Sequence, residues 1–298
     1  MKVGVTGGSG FIGAHLATGL VARGHETYIL DKVPSSVEGA RWCSVDLLDY
    51  GSLEEKVKGL DLLYHLAAIA DASYSNENPV ETMRVNAEGT VNVLEACRRC
   101  GVGRVVYAST IWVYNTSEDD NVDEETRLST RTRHIYTTSK LVGEFLCNDY
   151  HDQYGLNFTI LRFGIPYGPG GRFNVVPVFI KAALQNQAIT IRGTGEQRRP
   201  FIYVSDLAEG CLAASSEIAK NRTYNISGSR MISVNEVVEL LSKQVRDLKV
   251  VRVPERSGEI RDKLVSISRA EKELSWKPRI AFEEGFKLTF DWYRDHLS

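Results

Sequence analysis

The sequence predicts an α/β fold in which a doubly wound parallel sheet is followed by a smaller C-terminal α/β domain. Short apolar runs alternate with helical patterns through the first half of the chain, as in a parallel sheet covered on both faces. The alternation stops after Phe163, where the glycine- and proline-rich stretch 164–171 follows. We therefore expect one domain over residues 1–165 and another over 166–298, with segments near 199–222 returning to the large sheet.

Each element is placed from its own pattern. The predicted strands of the first half are Lys2–Thr6, Glu26–Asp31, Arg41–Val45, Leu60–Leu66, Arg104–Ser109 and Asn157–Phe163. The predicted helices there are Phe11–Arg23, Ser52–Lys58, Pro79–Cys100 and Tyr136–Tyr154. Later come a helix Val175–Gln185, strands near Ile189 and Phe201, a helix Val234–Val245 and a closing helix Glu283–His296. Ligands of such sheets lie in the crevice beyond the carboxyl ends of the strands.

The composition indicates an ordinary soluble globular protein. The chain has 298 residues, 43% of them hydrophobic and 25% charged, and a net charge of −2, so neither a nucleic-acid partner nor a membrane surface is expected. The first predicted strand begins at Lys2, and we expect no signal peptide. The five cysteines are odd in number and scattered, which predicts reduced thiols, a cytoplasmic protein and no metal site.

A glycine-rich turn over residues 7–13 joins the first predicted strand to the first predicted helix. Glycine lets the backbone turn tightly and approach phosphate groups closely. The first N–H groups of the helix have no internal partner and attract an anion. Gly7, Gly10 and Gly13 therefore predict a dinucleotide-binding site, and a plain glycine loop is the alternative.

An acidic residue, Asp31, ends the second predicted strand. A carboxylate at this place accepts hydrogen bonds from the adenosine ribose and repels a 2′-phosphate, which favours NAD over NADP. The neighbouring Lys32 weakens that preference slightly, because a cation tolerates phosphate. The alternative is that Asp31 only terminates a strand.

A second motif, Tyr136-Thr-Thr-Ser-Lys140, opens a long predicted helix. Residues four apart share one helix face, and a nearby ammonium favours the phenolate form of tyrosine. Tyr136 is therefore a candidate acid–base catalyst. Ser109 and Thr110 end the fifth strand at the level of the cofactor crevice, where a hydroxyl could bind the same substrate oxygen. A partly solvated helix face is the alternative for Tyr136 and Lys140.

With these motifs in place, the chain resembles the extended short-chain dehydrogenases/reductases, in particular their nucleotide-sugar epimerase/dehydratase group. The resemblance runs nearly end to end. Its other motifs are His65-Leu-Ala-Ala68, Val85-Asn86-Ala-Glu-Gly89-Thr, Leu161-Arg162-Phe163, Tyr167-Gly-Pro-Gly170, Gly193-Thr-Gly-Glu-Gln-Arg-Arg199 and Trp276-Lys-Pro278. The resemblance implies a Rossmann-type NAD-binding domain followed by a nucleotide-sugar-binding domain.

The resemblance also implies roles for individual residues. Phe11 and Ile12 are expected at the pyrophosphate, Asp31 and Lys32 at the adenosine ribose, and Lys140 at the nicotinamide ribose. The other residues expected around the cofactor are Asp46, Leu47, Leu66, Ala67, Ala68, Asn86, Ser109, Tyr136 and Phe163.

On the substrate side, Thr110 takes the family's Ser/Thr role and Tyr136 the role of the base. Asn174, Arg199 and Arg256 are expected to contact the nucleotide or its diphosphate, because they stand in motifs that do so in the family. Arginine suits this task because its planar fork makes paired bonds to phosphate oxygens. A helix cap remains the alternative for Asn174, and surface ion pairs remain the alternative for the two arginines.

Four positions depart from the family's pattern. After Thr110 stand Ile111 and Trp112, where dehydratases of the family have an Asp-Glu pair and decarboxylases have a carboxylate. Neither residue can transfer the required proton, which disfavours both reactions. Ile165 and Pro200 replace the usual Asn and Asp beside the substrate, so the sugar cannot be carried over from the family pattern.

The resulting prediction is an NAD-dependent nucleotide-sugar 4-epimerase of the UDP-glucose/UDP-galactose type, acting through a transient 4-keto sugar. The alternatives are a 4-keto-sugar reductase, an atypical dehydratase and a non-catalytic NAD-binding regulator. The family commonly forms homodimers through two long helices, here predicted as Pro79–Cys100 and Tyr136–Tyr154. The apolar residues available for such an interface are Val91, Leu94, Leu141, Val142 and Phe145. For most of them, core packing against the sheet is an equal alternative.

Overall fold

The computed structural model describes residues 1–128, 131–254 and 263–297. Its strands are β1 (Lys2–Thr6), β2 (Glu26–Asp31), β3 (Arg41–Ser44), β4 (Leu62–His65), β5 (Arg104–Thr110), β6 (Asn121–Val122), β7 (Phe158–Phe163), β8 (Ile165–Tyr167), β9 (Ile189–Arg192), β10 (Arg198–Arg199), β11 (Phe201–Tyr203), β12 (Arg222–Ile226), β13 (Ile232–Ser233), β14 (Val250–Val253) and β15 (Leu264–Val265). Its α-helices are α1 (Phe11–Ala22), α2 (Tyr50–Val57), α3 (Ala72–Glu77), α4 (Pro79–Met83), α5 (Gly89–Cys100), α6 (Ile135–Tyr154), α7 (Val175–Leu184), α8 (Val204–Ala213), α9 (Val234–Ser242), α10 (Ser268–Leu274) and α11 (Phe282–His296).

Seven parallel strands form the central sheet in the order β12-β7-β5-β4-β1-β2-β3. The chain moves outward from β1 to β3 and then returns to place β4 on the other side of β1. The strand order therefore reverses between β1 and β4, which opens a crevice at their carboxyl ends. This arrangement confirms the predicted doubly wound parallel sheet.

Both faces of the sheet are covered by apolar side chains. On one face, Leu16 and Leu20 of α1 pack with Leu207 and Cys211 of α8. On the other face, Leu53 of α2, Val93 and Leu94 of α5 and Cys147 of α6 form a second buried cluster. Burial on both sides explains why the strands read as unbroken apolar runs instead of alternating ones.

The second half of the chain contributes to the central sheet and also forms a smaller lobe. Strand β12 joins the central sheet beside β7, and α8 packs on α1. Helix α10 also packs on β12, and β15 pairs with β6. A smaller lobe forms around α7, α9 and α11, which enclose an apolar cluster that includes Phe179, Val237 and Phe286. Short two-stranded pairs, β8 with β11 and β9 with β14, complete that lobe.

One predicted helix is interrupted. The pattern over Pro79–Cys100 predicts a single helix, but α4 and α5 are separated by a π-helical turn, Arg84–Glu88. There the N–H of Gly89 bonds to the carbonyl of Arg84, five residues back. The wider turn places Asn86 in the interior, where it is 2% exposed. Within the described residues, no helix is long and apolar enough to cross a membrane.

Candidate active site

The glycine turn between β1 and α1 is sterically fixed as glycine. Gly7 has φ of +70°, and a Cβ there would lie 2.7 Å from the Ala67 backbone nitrogen. A Cβ on Gly13 would lie 2.1 Å from the Gly7 carbonyl oxygen. Gly10 precedes α1 without a side-chain cap, so the first N–H groups of the helix face the end of the crevice. The turn is thus built to bring bare backbone against a phosphate.

The carboxylate of Asp31 lies next to that turn at the end of β2. Its two oxygens accept hydrogen bonds from the backbone N–H groups of Ser9, at 3.1 Å, and Val33, at 3.0 Å. Lys32 pairs with Asp46 at 3.0 Å, so its charge already has a partner. The Leu48 N–H, with a smaller contribution from Lys32, holds the pKa of Asp46 below its usual range. At the end of β2 the structure therefore presents the Asp31 carboxylate, with Lys32 already paired to Asp46.

A cavity of about 940 Å³ follows the crevice from Asp31 to the start of α6. Its size falls within the usual range of small-molecule and cofactor sites. With the exception of Asn86, every residue predicted to contact the cofactor lines it. These residues are Gly7, Gly10, Phe11, Ile12, Gly13, Asp31, Lys32, Asp46, Leu47, Leu66, Ala67, Ala68, Ser109, Tyr136, Lys140 and Phe163.

Three candidate catalytic residues meet at one end of this cavity. Thr110 is the last residue of β5, and its hydroxyl accepts a hydrogen bond from the Trp112 N–H at 3.3 Å. The same hydroxyl lies close enough to the Tyr136 phenol to offset slightly the rise in its pKa that burial causes. Tyr136 lies in the first turn of α6, and Lys140 follows one turn later. The Lys140 ammonium is buried, donates to the Ala108 carbonyl at 2.7 Å and lies 5.0 Å from the centre of the Tyr107 ring.

The electrostatics differ from the sequence-based expectation that Lys140 acidifies the phenol. Burial raises the pKa of Tyr136 to about 12, and the hydrogen bond with Thr110 offsets only part of that rise. Burial also lowers the pKa of Lys140 to about 8. The Lys140 ammonium donates to the Ala108 carbonyl instead of the phenol. The loss of solvent around Tyr136 therefore outweighs any stabilisation of its phenolate by Lys140, and the pKa of Tyr136 rises. The protein alone holds Tyr136 as a neutral phenol at pH 7.

Aromatic rings flank Tyr136 where β5 ends and α6 begins. The Trp112 ring meets the Tyr136 ring edge-on at 5.9 Å, and the His134 ring lies 5.1 Å from Trp112. Burial, with a smaller contribution from Arg133, lowers the pKa of His134. Ile111 is buried in a separate apolar cluster. Positions 111 and 112 therefore present no carboxylate to a substrate at Tyr136.

Beneath the catalytic residues lies a buried ion pair that the sequence analysis missed. Arg162 of β7 makes two hydrogen bonds to Glu144 of α6, at 3.0 and 2.7 Å, and Ser109 donates to the same carboxylate. Glu144 stands one helical turn beyond Lys140, so Tyr136, Lys140 and Glu144 share one face of α6. The spacing of four residues between Lys140 and Glu144 could have indicated that Glu144 lies on the same helix face.

Two of the predicted substrate residues, Asn174 and Arg199, do not line the cavity. Asn174 caps α7: its side-chain oxygen accepts from the Val176 N–H at 3.0 Å, and its amide donates to the Pro166 carbonyl at 2.6 Å. Arg199 lies on β10, and its guanidinium donates to the Arg198 carbonyl at 2.6 Å. Arg256 lies outside the described residues. Their roles toward a substrate stay predictions.

Asn86 also lies off the cavity wall. Its side chain holds both the N–H and the carbonyl of Ile69 and donates to the Ser139 hydroxyl. It therefore supports the wall segment 66–70 from behind. Residues missing from the prediction, including Glu77, Val80, Arg84 and Phe173, form part of the lining. Phe173 is 71% exposed, and its position between a glycine-rich turn and a helix start was the available signal.

Comparison with known proteins places this geometry in a family. Residues 3–227 match the NAD dependent epimerase/dehydratase family. A UDP-N-acetyl-alpha-D-glucosaminuronate decarboxylase from Bacillus cytotoxicus is 33% identical, over 98% of this chain and 97% of its own length. A UDP-glucuronate 4-epimerase from Thermodesulfobacterium geofontis is 28% identical, over 99% of this chain and 96% of its own.

A solved structure agrees with the sequence matches. The crystal structure of Thermus thermophilus UDP-glucose 4-epimerase in complex with NAD is 31% identical, with a TM-score of 0.86, and the match covers 99% of this chain and 100% of that one. The chain belongs to the NAD dependent epimerase/dehydratase family, and its cofactor is NAD. The relatives carry out different reactions on nucleotide sugars, so membership alone leaves the reaction unresolved.

Proposed function

We propose that this member of the NAD dependent epimerase/dehydratase family is a UDP-hexose 4-epimerase that interconverts UDP-glucose and UDP-galactose. The observation that carries the proposal is that Tyr136 and Lys140 line the end of the cofactor cavity, with Thr110 next to the lining residue Ser109 and followed by Ile111 and Trp112. The first three residues supply a proton-transfer site. The last two lack the acid that dehydration or decarboxylation requires in the family.

The residues present fit NAD. The turn at Gly7 and Gly13 has no room for a Cβ, which leaves backbone N–H groups for the pyrophosphate, and Asp31 is placed for the adenosine ribose. Lys140 and Tyr136 line the opposite end of the cavity, where they would hold the nicotinamide ribose. When bound there, the cofactor supplies the capacity to accept a hydride from sugar C4 and to return it.

The protein's part in the reaction is proton transfer and orientation. Tyr136 accepts the proton of the C4 hydroxyl and later returns it, and Thr110 hydrogen-bonds the same oxygen. A phenol with a raised pKa is a weak base until positive charge arrives nearby. Buried Lys140 and an oxidised nicotinamide ring would together supply that charge. Because hydride leaves and returns within one turnover, the reaction has no net redox change.

The experiment is a product analysis of the purified protein with bound NAD. It is incubated separately with UDP-glucose, UDP-galactose and UDP-glucuronate, and products are identified by proton NMR. The proposal predicts that UDP-glucose and UDP-galactose reach one common mixture. Formation of a 4-keto-6-deoxy sugar or of a pentose with release of carbon dioxide would contradict it. In a separate incubation with a nucleotide-linked 4-keto sugar and added NADH, sustained loss of the reduced-nicotinamide absorbance would indicate the reductase alternative.

The proposal extends to a homodimer in the cytoplasm. Of the five apolar residues proposed for the interface, Leu94 and Leu141 are buried within the protomer, whereas Val91 is 37% exposed and Phe145 60% exposed. The interface would therefore be centred on Val91 and Phe145, on α5 and α6. All five cysteines are free thiols, which suits a reducing compartment. Light scattering of Phe145→Glu beside the wild type tests the dimer.

A further inference from the structure

A buried histidine that the proposed mechanism does not use lies between the cofactor cavity and the catalytic helix. His65 ends β4, is 1% exposed and stands directly before the wall segment 66–70. Both of its ring nitrogens are engaged. Nδ1 lies 2.8 Å from the Thr6 hydroxyl, and Nε2 lies 3.0 Å from the Thr90 hydroxyl.

The partners of the two threonines fix the histidine's tautomer. The Thr90 hydroxyl has one proton and donates it to the Asn86 carbonyl, so it can only accept from His65. Nε2 must therefore carry the ring proton, and Nδ1 must accept from Thr6. The Thr6 oxygen in turn accepts the Ala67 N–H at 3.3 Å. Every donor along this path then has an acceptor.

The same path continues to the catalytic helix. The Asn86 side chain binds both backbone groups of Ile69 and donates to Ser139 at 2.9 Å. Ser139 donates to the backbone carbonyl of Tyr136 at 2.8 Å. Hydrogen bonds of the backbone and of the side chain of Asn86 thus join the cavity wall at Ala67, and the neighbouring Ile69, to the residue proposed to transfer the proton.

The surroundings keep this histidine neutral. Burial, with a smaller contribution from Lys140, lowers the pKa of His65 to about 3. The Tyr107 ring contacts both groups, with its centre 5.7 Å from the His65 ring and 5.0 Å from the Lys140 ammonium. A neutral imidazole is thus the only form compatible with the charged Lys140 nearby.

We propose that His65, held as its Nε2–H tautomer between Thr6 and Thr90, is a positioning residue that fixes the distance between the cofactor-cavity wall and Tyr136. Its effect on turnover rests on the proposed 4-epimerase function, whereas its tautomer does not. Neither nitrogen is free for proton transfer, so His65 acts only through the residues it holds. Misplacement of reacting groups by about 1 Å can cost roughly 100-fold in rate, so a loss of this tether should appear in kcat.

The first measurement is the tautomer. The protein is labelled with ¹⁵N-histidine, and its six histidines are assigned by single substitutions. Long-range ¹H–¹⁵N correlation spectra should show a protonated Nε2 and an unprotonated Nδ1 for His65, unchanged from pH 6 to pH 8. A proton on Nδ1, whether in the other neutral tautomer or in the doubly protonated imidazolium, would overturn the proposal. This test holds whatever reaction the enzyme catalyses.

The second measurement separates positioning from general stability. Thr90→Val removes the acceptor at nearly constant shape, and Thr159→Val is the matched control, because Thr159 is equally buried and donates to the Ala219 carbonyl outside the path. We expect Thr90→Val to lower kcat about tenfold and to weaken NAD binding measured by fluorescence, with the sugar KM unchanged. Thr159→Val should lose comparable thermal stability and keep kcat and NAD affinity. Equal kcat losses in both variants would overturn the proposal.

The two measurements also separate this proposal from the proposed function. If the wild type converts no UDP-hexose, the epimerase assignment fails, and the tautomer and the NAD affinity of Thr90→Val still test the tether. If the wild type is an epimerase and Thr90→Val has the same kcat and NAD affinity, the positioning role of His65 is refuted and the epimerase assignment stands. His65→Gln, which retains one donor and one acceptor, should recover more activity than His65→Leu.

Discussion

The cofactor crevice and the smaller lobe place polar side chains in different ways. In the crevice, Gly7, Asp31 and Tyr136 all line one cavity. In the smaller lobe, Asn174 caps its own helix, and Arg199 bonds to a neighbouring carbonyl. A cofactor site is assembled from strand ends that the sheet brings together, whereas the substrate side depends on how short elements pack. The sheet topology alone therefore brings the cofactor-cavity residues together, whereas within the described residues no comparable framework aligns the predicted substrate residues.

The largest effect is expected when the phenol of Tyr136 is removed from the end of the cofactor cavity. Tyr136→Phe should lower kcat by roughly 1,000-fold or more, because general acid–base catalysis contributes about 100- to 10,000-fold. NAD affinity should change little. Tyr154→Phe is the matched control, since Tyr154 lies at the far end of α6 and is 58% exposed. Near-normal turnover of Tyr136→Phe would remove the catalytic role assigned to it.

The next effect is expected at the glycine turn. In Gly13→Ala the new Cβ would meet the Gly7 carbonyl oxygen at 2.1 Å, which forces the backbone apart. Overpacking of this kind costs about 3 kcal/mol, so NAD affinity should fall roughly 100-fold in a calorimetric titration. Gly51→Ala in α2 is the control, because its Cβ would have no neighbour closer than 3.8 Å. Unchanged NAD affinity in Gly13→Ala would exclude the turn from the cofactor site.

A third effect should appear in stability against pH. Because the pKa of Lys140 falls from 10.5 to about 8 on burial, the folded protein carries a cost of up to about 3 kcal/mol below pH 8. Between pH 8 and 10.5 the unfolded chain binds more protons, so wild-type stability should rise relative to Lys140→Met. Denaturant unfolding should therefore show Lys140→Met as the more stable protein at pH 7, with an advantage that shrinks toward pH 10. A constant difference across this range would contradict the assigned shift.

The smallest effect is expected in the smaller lobe, at the Asn174 cap of α7. Asn174→Ala removes the cap of α7 and should cost about 1 kcal/mol in the free energy of unfolding. Asn174→Asp retains the acceptor for the Val176 N–H and should recover most of that stability. If Asn174 also binds the nucleotide, both variants will raise the KM for UDP-glucose. An unchanged KM in both would leave Asn174 as a cap alone.

The sequence predicted the sheet and most residues that line the cavity because their constraints are local. A glycine with positive φ, an acid at a strand end and a four-residue spacing on a helix are all visible in the chain. The π-helical turn at Arg84–Glu88 was not predictable, because no glycine or proline lies within it to mark a break. The hydrogen bonds of Glu144 with Arg162 and of His65 with Thr6 were not predicted, because each pair joins residues that are far apart in the sequence. The raised pKa of Tyr136 likewise follows from burial, which spacing does not reveal.

The central claim is that Tyr136 and bound NAD exchange one hydride and one proton at sugar C4. The most direct test is to incubate the wild type with UDP-glucose in D₂O and analyse the product by NMR. The account predicts UDP-galactose whose C4 retains its original hydrogen, with no deuterium on any sugar carbon. Deuterium at a sugar carbon, or a product other than the C4 epimer, would contradict it.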